Sequence, residues 1–163
     1  MKIGRITIVH PRPWNPMYWY CRLANLWVSV PWWGIVYCTE ESFEEVMADT
    51  VYAQALLVHE TVHILQFGMD RGLWWVLGYF TSLQRRRQRE SEAYGAHLMV
   101  CQNAGRDTAE LEAWIKQTLN SWKYLWCGYD PDLLYRKIPT ALTMQAVHSL
   151  DGTVYEIDVG GKS

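Results

Sequence analysis

The stretch Ala55-Leu-Leu-Val-His-Glu-Thr-Val-His-Ile-Leu-Gln-Phe-Gly68 decides how the chain is read. Its apolar residues, with Val51 before them, surround a helical axis instead of forming one stripe, which is the pattern of a buried helix. Yet it carries His59, Glu60 and His63, and buried imidazoles and carboxylates are costly without partners. Residues four apart lie one turn apart on one helix face. His59 and His63 can therefore aim two nitrogens at one centre ~2.0–2.1 Å from each, the distance zinc requires. Glu60 lies about 100° around from His59. That is poor for ligation and good for touching a water on the same metal. This is the H-E-x-x-H arrangement, in which the metal acidifies a water and the Glu takes its proton.

A third ligand is needed. The continuation H-x-x-G-x-x-H would supply a further histidine, but Gln66 and Met69 occupy those places. The other source is Arg85-Arg-Arg-Gln-Arg-Glu-Ser-Glu-Ala-Tyr-Gly-Ala-His97, which offers Glu90 and Glu92. Glu90, Ala93, Tyr94 and His97 share one helix face, and the small Ala93 lets a neighbouring helix come close. Glu92 points about 200° away from Glu90. Glu90 is assigned as the third ligand, with Glu92 its competitor.

With these residues in place, the chain resembles the gluzincin metallopeptidases, whose third ligand lies in an E-x-x-A/S-D pattern. The resemblance is nearest to minigluzincins and to small H-E-x-x-H-x-x-Q proteins of phages and prophages, and it covers residues 35–100. It implies a single zincin-like domain over residues 1–163. It implies Zn²⁺ on His59, His63 and Glu90, Glu60 as general base, and hydrolysis of a peptide or protein substrate. It also implies that the strand before the active helix, Ile35–Cys38, is a sheet edge that pairs with extended peptide. Where the pattern has Asp four residues after the ligand Glu, this chain has Tyr94. Tyr94, His97 and Tyr129 are the candidates for oxyanion stabilisation.

The rest of the sequence sets the frame. With 163 residues, half of them hydrophobic and 20% charged, the chain is expected to form one globular domain. A net charge of −2 gives no general electrostatic case for nucleic acid. Cys21, Cys38, Cys101 and Cys127 match no zinc-knuckle spacing and are expected to be reduced thiols. The start of the chain has no signal-peptide pattern, and no apolar stretch is long enough to span a bilayer. The cytoplasm, of a bacterial host if the gene is phage-borne, is the expected compartment.

The expected fold class is α+β, a small N-terminal sheet packed on a helical body. Residues 3–9 and 34–38 read as strands, and residues 18–30 as strand or helix. Thr39 opens a short acidic helix. A longer helix runs from Asp49 or Thr50 to about Phe67, and another from Leu73 to Asn103 with a break near Thr81–Ser82. A further helix covers Thr108–Trp122, and residues 123–135 read as loop with a helical turn. Residues 143–149 and 153–159 alternate around Asp151-Gly152 as a hairpin.

Two other readings stand beside the peptidase. One is a non-catalytic zinc domain in a phage or prophage assembly. The other is a membrane-surface contact through Trp32, Trp33, Trp74, Trp75 and the arginines from Arg85 to Arg89, a cluster otherwise read as a solvated face.

Overall fold

A computed structural model describes residues 5–9, 11, 13–24, 28–30, 35–69, 72–125, 127–136 and 154–158. The order is β1 (Arg5–Val9), α1 (Pro16–Ala24), β2 (Val28–Val30), β3 (Ile35–Tyr37), α2 (Glu40–Met47), α3 (Thr50–Met69), α4 (Leu73–Thr81), α5 (Leu83–Asn103), α6 (Ala109–Leu119), a 3-10 turn (Trp122–Tyr124), α7 (Pro131–Arg136) and β4 (Val154–Asp158). The class is α+β, with helix predominating.

The four strands form one sheet in the order β2-β3-β1-β4. β1 runs parallel to both β3 and β4, and β2 is antiparallel to β3. Three expectations change here. β3 lies between β2 and β1, so Ile35–Cys38 is not the sheet edge; β2 holds that position among the described residues. β4 pairs with β1 in parallel, so the sheet is not wholly N-terminal. The 153–159 strand is therefore placed by β1, while residues 143–149 lie outside the described residues. The ambiguous 18–30 segment resolves into both types, α1 and then β2.

Ile8 and Val36 are paired across β1 and β3 and face the same core. Against them pack Val58, Val62 and Leu65 of α3, then Ala93 and Ala96 of α5. The helix that read as apolar all round is thus sandwiched between sheet and α5. On its other side α5 contributes Tyr94 and Leu98 to a second core with Ile115 and Leu119 of α6, Tyr124, Cys127 and Leu134. α5 is therefore covered on two sides, and residues projecting from it toward α3 are out of water.

Local chemistry sets the boundaries. The Asp49 carboxylate accepts from the backbone N–H groups of Val51 and Tyr52 and opens α3. Thr39 Oγ1 accepts from Ser42 N at the start of α2. The break expected near Thr81–Ser82 is real. Ser82 is extended, and its hydroxyl accepts from Arg85 N to start α5. No helix among the described residues is long and apolar enough to cross a membrane.

Candidate metal centre

α3 and α5 make the most extensive helix–helix contact among the described residues. The putting together of His59, His63 and Glu90 happens at this seam, where each is buried. Ala93 is fully buried at the same seam, so no side chain larger than methyl separates the helices there.

The distances have the scale of a coordination sphere. His59 Nε2 and His63 Nε2 are 3.2 Å apart, and His63 Nε2 is 3.6 Å from Glu90 Oε2. The three donor atoms all lie within 4.8 Å of one another. Two ligands ~2.0–2.1 Å from a tetrahedral ion stand about 3.4 Å apart. Glu90 Oε2 is buried without a hydrogen-bond partner. A buried carboxylate oxygen with no hydrogen bond, beside two converging imidazole nitrogens, is a donor set that fits a cation. The group can hold a metal ion.

Surrounding groups orient the ligands. Tyr79 of α4 donates its hydroxyl to Glu90 Oε1 at 2.6 Å, which leaves Oε2 facing the histidines. Gln66 Nε2 donates to the Arg89 carbonyl and to Glu92 Oε2. Those two donations turn the amide oxygen toward His63 Nδ1, 3.1 Å away. An amide oxygen only accepts, so His63 Nδ1 carries the proton and, in the neutral ring, Nε2 keeps its lone pair for a metal. Glu92 is therefore two hydrogen bonds back from the centre, holding Gln66, and the carboxylate that converges with the two imidazoles is that of Glu90.

Charges at the seam are strongly coupled. Burial and the neighbouring His63 and His97 push His59 well below the usual imidazole range, opposed by the Ala93 backbone. For His63, burial acts downward, but the Glu90 carboxylate, with Glu60 and Gln66, outweighs it and lifts the ring to about 9. Glu60 is buried beside this cluster, and its charge also reaches Cys21 and Cys38. Burial first, and then charged neighbours, raise both thiols to about 12. They are neutral and unsuited to nucleophilic chemistry. None of the four cysteines is in a disulfide.

The remaining candidates are placed as follows. The Tyr94 ring lies 4.3 Å from the His59 ring, centroid to centroid, and its hydroxyl is 2.8 Å from that of Tyr124. Its oxygen thus meets Tyr124, and its ring flanks His59. His97 is 1% exposed, stacks edge-on against Tyr52, and has no hydrogen bond at either nitrogen among the described residues. Tyr129 packs at the margin of the second core.

The arginine cluster is not a solvated face. Arg86 and Arg89 are buried, and Arg86 donates to the Phe80 carbonyl while lying over the Tyr79 ring. Arg87 donates to the Cys127 carbonyl. Arg85 is the exposed member. Arg86 and Arg87 therefore tie α4 and the segment after the 3-10 turn onto α5. Trp32 and Trp33 lie outside the described residues.

Two contributors were missed in the sequence. Gln66 stood in plain view three residues after His63, on the same face. Tyr79 had a fainter signal, a hydroxyl inside the otherwise apolar run 73–80. No protein-family model, curated protein or solved structure matches the chain.

Proposed function

We propose that the chain is a zinc-dependent peptide hydrolase of gluzincin type with a zincin-like domain. The observation that carries this reading is the 3.2 and 3.6 Å spacing of His59, His63 and Glu90 donor atoms around a shared centre, the two histidines standing on the helix that also bears Glu60. Two imidazoles and one carboxylate leave a fourth position open, the donor set of catalytic zinc. When bound, Zn²⁺ would acidify a water and polarise a carbonyl. Glu60, one residue along from His59, is the group to take that water's proton and return it to the leaving amine. Gln66 and Tyr79 keep His63 and Glu90 aimed. The Tyr94 ring limits the movement of His59, where the gluzincin pattern would use a carboxylate. The substrate would be a peptide or protein segment.

The test is cleavage of casein and of a mixed peptide library by zinc-loaded protein, read by mass spectrometry. Glu60→Gln should retain zinc and lose cleavage by at least ~10²-fold. Cleavage at the wild-type rate in Glu60→Gln, or none in zinc-loaded wild type, would overturn the reading.

One observation favours a second reading. All three ligands are buried, as in metal sites that serve folding and not turnover. In that case zinc removal would unfold the protein, and no substrate would be cut.

A further inference from the structure

α4 has two faces. Val76, Gly78 and Tyr79 turn inward, with Gly78 against the Arg85 and Arg89 side chains and Tyr79 on Glu90. Leu73, Trp74, Leu77 and Phe80 turn outward and are exposed by 69, 65, 43 and 65%. These four positions fall within an arc of about 120°. Met69 at the end of α3 and Leu83 at the start of α5 extend the patch and are also exposed. Clustered large apolar side chains on a surface mark a contact site.

We infer that α4 is an interfacial helix that docks the protein flat on an anionic bilayer. Three observations choose this occupant. The helix has nine residues, about 13.5 Å of length, far short of the ~30 Å hydrocarbon core, so it can lie in the interface but not span it. Its footprint, about 10 Å wide, is a few hundred Å² even with Met69 and Leu83. That is well below the ~800 Å² per partner of a stable protein dimer. Finally, residues 71–89 contain no Asp or Glu, and Arg85 among them is exposed. Because Arg86, Arg87 and Arg89 are committed inward, apolar insertion dominates and charge adds a modest preference. Tyr79 sits on the same short helix, so docking would hold the Glu90 centre about one helix diameter from the lipid surface. The inference does not depend on the chain being a peptidase.

The test is co-sedimentation of the full chain with vesicles of phosphatidylcholine, alone or with a minority of phosphatidylglycerol. Wild type should bind both, about fivefold more tightly with phosphatidylglycerol. Trp74→Ser with Phe80→Ser should weaken binding at least tenfold, and so should Leu73→Ser with Leu77→Ser. Trp122→Ser, at an exposed tryptophan of the 3-10 turn, should bind like wild type. These substitutions are at exposed positions, and unchanged thermal melting shows that each variant is folded. Wild type left in the supernatant with both vesicles would overturn the inference, as would undiminished binding by both folded double variants. Self-association of wild type that the same double substitutions abolish, without vesicle binding, would assign the face to a second copy and overturn it equally.

Discussion

At the scale of single residues, the centre depends on groups that do not themselves reach a metal. Gln66 fixes the tautomer of His63, and Tyr79 occupies the Glu90 oxygen that points away from the histidines. Gln66→Ala should weaken zinc affinity ~10–100-fold, and Tyr79→Phe by a similar factor, as for other groups that orient ligands. Competition with a zinc-binding dye would measure this, and unchanged affinity in both variants would remove them from the site. His97 gives a pH prediction. Burial holds its ring down at about 4, while an unfolded histidine titrates near 6.5. Between those values the unfolded chain binds the proton and the folded one does not. Stability is therefore full above about 6.5 and falls as the pH drops toward about 4, by about 3 kcal/mol from this residue. His97→Leu, which also removes unpartnered buried nitrogens, should flatten that slope in urea unfolding of metal-free protein. A slope unchanged by the substitution would contradict the assignment. That His59, His63 and Glu90 come together was legible because helical spacing fixes which side chains share a face of α3 and which share a face of α5. Tyr79 was not, because the approach of α4 to α5 is a tertiary fact that no local period encodes.

At the scale of elements, Asp49 does two jobs of unequal weight. It caps α3 through two backbone N–H groups, and it meets Arg106 Nη2 at 3.0 Å in an ion pair with both partners about half exposed. Caps of this kind contribute ~1 kcal/mol, whereas exposed pairs contribute ~0–1 and are screened. Asp49→Ala should therefore cost about 1 kcal/mol in chemical denaturation, and Arg106→Ala less than half of that. The reverse order would mean that the ion pair, not the cap, secures the start of α3. Helices were read well from caps and apolar spacing, including the break at Ser82. Strand partners were not, since an apolar strand does not state its neighbour. Residues 35–38 looked like an edge and are interior, and residues 154–158 looked like half of a hairpin and run parallel to β1. Arg86 and Arg89 looked solvated from their charge alone; α4 covers them.

At the scale of the whole molecule, the sheet and the second core clamp α3 and α5 from opposite sides, so three potential metal ligands from two helices meet away from water. Such a site is expensive when empty. It holds a histidine kept from protonating by burial and a carboxylate oxygen that, among the described residues, has no hydrogen bond and only the 3.6 Å approach of His63. A bound ion would offset that cost, so zinc at 100 times its dissociation constant should add about 2.7 kcal/mol to stability. Melting of the protein with and without a chelator checks this, and an identical melting temperature would argue against a site at the seam. The α+β class and the place of the motif on a buried helix were readable from apolar spacing, whereas the second core was not, because it is assembled from short segments far apart in the chain. The most direct test of the central claim is zinc content by elemental mass spectrometry on untagged protein. The account expects about one zinc per chain in wild type, in Glu60→Gln and in Glu92→Gln, and none in Glu90→Gln. Folded wild type that takes up no zinc even when it is supplied would contradict it and leave the His59–His63 helix as a polar feature of the core.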